Sequence, residues 1–185
     1  MIKETEQKEN FSTGSIRNSR EGKGRFDLIA NRAGAVFTIY DRRLFDSKDN
    51  DPIEAFQHVL DYIAYGDITS LKYAFEIVAI EMDRRDGKYL SYLHRLAKHY
   101  EGGAKIYAPR NWEMGQEVSR YLDSALRHLT QFISGDIDED HGAAFLWNDI
   151  AVPHMLNLVD EGILPDSIND LPVYPINSPV VKETK

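Results

Sequence analysis

The 185-residue chain contains no cysteine. That excludes disulfides, thiolate metal sites and cysteine nucleophiles, and it fits a reducing compartment. The chain also lacks any apolar run of membrane-spanning length, and its start, MIKETEQKENFSTGSIRNS, holds no apolar core for a signal peptide. A soluble cytoplasmic protein without membrane association is expected. Positive charge is in short supply, since 22 Lys and Arg stand against 30 Asp and Glu for a formal net charge of -8. The basic residues form no cluster, so binding to a nucleic-acid backbone is disfavoured. An acidic protein can still handle phosphorylated small molecules where a divalent cation bridges its carboxylates to the phosphates. Gly22 and Gly24 match neither a phosphate loop ending in GK[ST] nor GxGxxG, and there is no GxSxG elbow or HExxH pair.

What is present is helical periodicity. Residues 1–21 are polar and turn-rich, which composition alone reads as a flexible arm. A helix opens at Asp51-Pro52 with Glu54 three residues after the cap, carries Ile53, Phe56, Leu60 and Ile63 at helical spacing, and closes at Gly66-Asp67. Residues 69–85 are apolar on nearly every side and read as a buried central helix. A third helix places Leu93, Leu96, Ala97, Tyr100 and Ala104 on one stripe. Residues 117–135 form the clearest amphipathic pattern, with Val118, Tyr121, Leu122, Ala125, Leu129, Phe132 and Ile133 on its arc. Residues 138–162 continue as a longer helix with Pro153 inside, where a kink is expected. The proline-rich tail from residue 163 reads as an extended strap. With no internal repeat and no β-alternation, the pattern predicts an all-α helical bundle.

Several side chains in this pattern could carry chemistry. His141, Phe145, Asn148 and Val152 share one stripe, and His128 edges the arc of the preceding helix beside Ser124. A short link makes these two helices antiparallel neighbours, so His128, His141, Asn148, Arg127 and the acids of DIDED (136–140) converge near one end. A histidine edging an apolar face is more often a hydrogen-bonded core residue, and acids at a helix start are favoured by the dipole alone. Glu101 and Lys105 are spaced for a surface ion pair. Glu81, set among Ile77, Ile80 and Met82, needs a partner, for which an arginine serves better than a metal.

The segments TGSIRNSREGKGRFDLI, LAKHYEGGAKIYAPRNWEMG, LDSALRHL, GDIDEDHGAAFLWN and GILPDSINDLPVY occur in the order seen in phage-type dATP/dGTP diphosphohydrolases. The chain resembles that family over residues 12–32 and 90–174. Its members are small α-helical proteins similar in outline to MazG-like nucleoside triphosphate pyrophosphohydrolases. The resemblance implies an N-terminal arm (1–21), a catalytic domain (22–162) with an insertion at about 33–89, and the strap (163–185). It also implies cleavage of a deoxypurine nucleoside triphosphate, dGTP or dATP, to the monophosphate and pyrophosphate by water activated on Mg2+ or Mn2+.

The ExxE and ExxD pair by which MazG-like enzymes hold metal does not occur together in this chain. The metal candidates are therefore Glu101, Glu139 and Asp140, with Glu81 and Asp136 in reserve. Glu101, His128 and His141 are the catalytic candidates. Lys23, Arg25, Lys105, Arg110 and Arg127 are candidates for the phosphates, and Asn111, Trp112 and Asn148 for base and sugar. Trp112 suits purine stacking or, equally, a plug that locks its turn into the bundle. The arm is expected to fold over the phosphates as a lid. Homodimerisation, and residence in the host cytoplasm if the protein is phage-encoded, follow from the resemblance alone. The other readings are a phosphohydrolase with a different nucleotide preference and a non-enzymatic helical interaction module.

Overall fold

The computed structural model describes residues 8–18 and 52–171. Among them run a short hairpin, β1 (Lys8–Asn10) and β2 (Ile16–Asn18), and five helices: α1 (Pro52–Tyr65), α2 (Ile68–Asp86), α3 (Ser91–Tyr107), α4 (Val118–Ser134) and α5 (His141–Asp160). A 3-10 turn at Asn111–Met114 joins α3 to α4, and another at Asp166–Ile168 follows α5. The all-α expectation holds, with the hairpin as its one β element among the described residues. Among those residues no helix is long and apolar enough to cross a membrane.

The helix ends follow local chemistry. Asp67 starts α2 by accepting from the Thr69 amide at 3.0 Å, and Asp140 starts α5 by accepting from the Ala143 amide at 3.0 Å. Gly135 ends α4 with φ 82°, a left-handed conformation that glycine adopts without strain. The expected cap at Asp51 lies outside the described residues.

The pair α4 and α5 forms the centre of the bundle. Tyr121 and Phe145 are fully buried, with Leu122, Leu126, Leu129 and Leu146 around them. Each such side chain contributes roughly 1.5–3 kcal/mol by leaving water. The helices run antiparallel: His128 meets His141 at one end, and Tyr121 meets Trp147 farther along, ring centroids 5.8 Å apart. Gly142 lets α5 approach α2, because a Cβ there would lie 2.7 Å from Met82 Sδ. Leu60, Leu71, Val78 and Met82 join the same core, so residues 52–86 are built into it.

Three expectations need correction. Helix α2 is one-sided: Leu71, Ala74, Val78 and Met82 are buried, whereas Tyr73 and Ile80 are about half exposed. Only Leu96 of the α3 stripe is buried, and Leu93 faces outward. Residues 8–18 of the polar arm form an antiparallel ladder, Lys8 opposite Asn18 and Asn10 opposite Ile16, rather than a structureless segment. Beyond α5, Ile168 plugs into the core and Asp170 accepts from the Ser119 amide at 2.9 Å, tying the start of the strap to the first turn of α4. Residues 172–185 lie outside the described residues.

Candidate functional site

The link between α4 and α5, residues 135–140, brings His128 and His141 together, both nearly fully buried. His128 Nδ1 and His141 Nδ1 are 3.0 Å apart. At the outer ends, Arg127 Nη2 lies 3.0 Å from His128 Nε2, and His141 Nε2 lies 2.8 Å from Asp138 Oδ1. An arginine only donates and a carboxylate only accepts, so the chain of bonds has one consistent direction. Arg127 donates to His128 Nε2, His128 Nδ1–H donates to His141 Nδ1, and His141 Nε2–H donates to Asp138. Burial, reinforced by the Arg127 charge, pushes the His128 pKa well down, which matches a neutral His128 in this chain of bonds.

Glu139 adds a third donor atom. Its Oε1 stands 3.2 Å from His128 Nδ1 and 3.5 Å from His141 Nδ1. The three ligand atoms of His128, Glu139 and His141 lie within 4.8 Å of one another. Two imidazole nitrogens and a carboxylate suit a borderline divalent ion such as Mn2+, Co2+ or Zn2+ better than Mg2+, which prefers oxygen. Asp138 on the far nitrogen of His141 is the partner that orients metal-bound imidazoles. The donor set thus fits a metal, on one condition. His128 must move its proton to Nε2 to offer a lone pair at Nδ1, and Arg127 must then leave Nε2.

Beside this cluster lies a cavity of about 590 Å³, within the range of small-molecule sites. His128, Glu139, Asp138 and Arg127 line it, and so do Tyr100, Trp112, Trp147, Arg17, Arg110 and Asn148. Trp112 sits edge-on to Trp147 at 6.2 Å, with Tyr100 at 5.9 Å and His154 at 4.9 Å. Its turn is strained, Ala108 and Arg110 having φ of 85° and 59°. It is held by the Tyr121 hydroxyl donating to the Trp112 carbonyl at 3.1 Å. His99, stacked near Trp147, has its pKa lowered to about 4 by burial.

The hairpin forms one wall. The Asn111 amide clamps Ile16, donating to its carbonyl at 2.9 Å and accepting from its amide at 3.2 Å. Thr13 bonds the Gly115 carbonyl. Arg17 Nη2 donates to Asn148 Oδ1 at 2.7 Å, while Asn148 Nδ2 donates to the Ala144 carbonyl at 2.7 Å.

Residues 79–161, which supply most of this cavity, match the family model described as dATP/dGTP diphosphohydrolase, N-terminal. The chain resembles that family. Neither the curated proteins nor the solved structures include a match to it. The segment similar to the diphosphohydrolases contains His128, Glu139, His141, Trp112 and Asn148, but not Arg17.

The structure brings His128, Glu139, Arg110, Asn111, Trp112, Arg127 and Asn148 to the cavity, with His141 directly behind His128. Glu101 and Lys105 are instead exposed and paired with each other on the outer face of α3. Asp140 caps α5 and holds Arg95 at 2.6 Å. Glu81 is embraced by Arg84 at 2.6 Å and Arg85 at 2.7 Å, as its apolar neighbours required. Asp136 is exposed, and Lys23 and Arg25 lie outside the described residues. Arg17 and Trp147 were not singled out. Asp138 was named among the acids of DIDED converging on the histidines, but not as a metal or catalytic candidate.

Proposed function

We propose that the chain hydrolyses a deoxypurine nucleoside triphosphate, dGTP or dATP, to the monophosphate and pyrophosphate. One observation carries this reading: a single cavity combines an aromatic wall at Trp112 and Trp147, guanidinium groups at Arg17, Arg110 and Arg127, and His128 and Glu139 of the donor set, with His141 directly behind His128. The family match supports it, being to the N-terminal part of enzymes named for that reaction.

In the reaction a water oxygen bonds to the α-phosphorus, the bridging bond to the β-phosphate breaks, and pyrophosphate leaves. A divalent ion held by His128, Glu139 and His141, Mn2+ rather than Mg2+ of the two expected from sequence, would supply charge neutralisation and a more acidic water. The chain's own groups do the rest. Trp112 and Trp147 offer ring faces and edges to a purine. The guanidiniums pair with phosphate oxygens through charge-assisted bonds, Arg110 exchanging its surface partner Glu113 for them. Asp138 holds the His141 ring in place. The proton released by the water leaves through the carboxylates lining the cavity, Glu139 and Asp138.

Incubating the full chain with each of the eight common nucleoside triphosphates and Mg2+ or Mn2+, and measuring pyrophosphate against inorganic phosphate, tests the proposal. Pyrophosphate from dGTP or dATP, faster with Mn2+, is the expected result. Release of single phosphates would replace it with another phosphohydrolase reaction, and no turnover would leave the interaction module.

A further inference from the structure

Among the described residues Arg17 is a charge without a counter-ion. Its guanidinium donates to Gln116 Oε1 at 3.4 Å, the Arg120 carbonyl at 3.3 Å and Asn148 Oδ1 at 2.7 Å, all neutral acceptors. It lies over the rings of Tyr121 and Trp147, 5.5 and 5.4 Å from their centroids. Among the described residues no carboxylate pairs with it. Withdrawal from water, joined by the neighbouring cations Arg120 and Arg127 and partly offset by Tyr121, lowers its pKa to about 10. Arg120 is itself neutralised by Glu9. Arg127, which lines the same cavity, donates to Gln131 and His128, while the carboxylates Glu139, Asp123 and Asp138 act on it without a hydrogen bond among those described.

Arg17 is partly buried, and a charge withdrawn from water and held by neutral partners costs stability unless something repays the desolvation. Anchoring the hairpin does not require that charge, since the Asn111 clamp and Thr13 already tie it down. Three of the five N–H groups of Arg17 are engaged, which leaves two donors on a planar fork that matches phosphate geometry.

We propose that Arg17 is an oxyanion receptor, held by Asn148 and two aromatic rings so that its free donors bind a phosphate group of the ligand in the cavity. The ligand class is a polyphosphate. Its identity as a nucleotide rests on the reading of the preceding section, but the receptor itself does not. Arg17 precedes residues 79–161, the stretch that the family model covers, and reaches the site on the hairpin.

The test is titration of the full chain with inorganic tripolyphosphate, in the absence of divalent metal, by isothermal calorimetry at low and raised salt. The wild type binds and weakens with salt. Arg17→Gln binds about 10- to 100-fold more weakly, the loss expected for a charge-assisted bond. Lys72→Ala, an exposed cation on α2, is unchanged. Asn148→Asp places a carboxylate beside the guanidinium and also weakens binding, although Arg17 remains. If Arg17→Gln does not fold, Asn148→Asp and Arg17→Lys decide the matter. Wild-type affinity in the folded variants, or no binding by the wild type, overturns the proposal. Turnover of dGTP by a wild type whose tripolyphosphate affinity ignores Arg17 would remove the receptor and keep the hydrolase. Arg17-dependent binding with no turnover of any nucleotide would do the reverse.

Discussion

The Nδ1 atoms of His128 and His141 face each other at 3.0 Å, close enough that one must carry a proton and the other a lone pair. Arg127 on one side and Asp138 on the other decide which. In 15N-edited NMR of the metal-free chain, His128 is expected as the neutral Nδ1–H tautomer and His141 with its proton on Nε2. Titration with Zn2+ should move the His128 proton to Nε2. A His128 resonance that keeps its tautomer while metal binds would place the ion elsewhere.

Asp138 acts on the metal only through His141. Asp138→Asn is therefore expected to weaken Mn2+ or Zn2+ binding by about 10- to 100-fold without removing a ligand. Calorimetric titration measures it, with Asp136→Asn as the neighbouring control.

His128 also makes stability depend on pH. Its folded pKa lies well below its unfolded value near 6.5, so the unfolded chain takes up a proton first as pH falls. The stabilisation is complete above about pH 6.5 and declines below it, by up to about 1.4 kcal/mol per pH unit. His99 adds a loss of the same sign down to its value of about 4. Urea midpoints for wild type and His128→Gln, compared from pH 7.5 to 5, should converge as the pH falls.

Asp149 has the opposite sign. It is almost fully buried, its Oδ1 has no hydrogen-bond partner among the described residues, and burial raises its pKa well above the usual carboxylate range. Its protonated form is stable below about pH 4, and that contribution is lost as pH rises through the folded pKa. Asp149→Asn should raise the urea midpoint at neutral pH. The gain should shrink toward pH 4, by at most about 1.4 kcal/mol per unit. A midpoint at pH 7.5 equal to or below the wild-type value would show the carboxylate solvated or paired.

Trp112 is packed by Tyr100, Trp147 and His154 and also lines the cavity. Trp112→Phe is expected to keep most of the packing, whereas Trp112→Ala should cost roughly 2–4 kcal/mol in thermal unfolding. Binding of a fluorescent deoxypurine nucleotide should fall in both, more steeply in the alanine variant. Undiminished affinity in both would leave the indole with a packing role only.

Much of the helical framework was legible in the sequence, because caps and apolar residues at 3.6-residue spacing act over one or two turns of a single segment. That local chemistry placed α1, α2, α4 and α5 within a few residues, and the short α4–α5 link brought His128 toward His141 before any coordinates. The hairpin was hidden because three-residue strands are too short to show alternation. Its anchors are Asn111 and Gly115, 95 and 102 residues away. The exposure of Tyr73 and Ile80 was equally hidden, since periodicity shows that a helix has an apolar face but not what arrives to cover it.

Among the acids, spacing alone could not say which would be claimed by a cation. Lys105 one turn away takes Glu101, Arg95 from another helix takes Asp140, and Glu139 is left beside the imidazoles. Arg17 lay in a stretch whose composition said only that it was polar. Sequence thus determined what each segment could become by itself, since helix formation depends on neighbours along the chain. Tertiary structure alone decided which charges met and which stayed unpaired, because ion pairing depends on distances that packing sets.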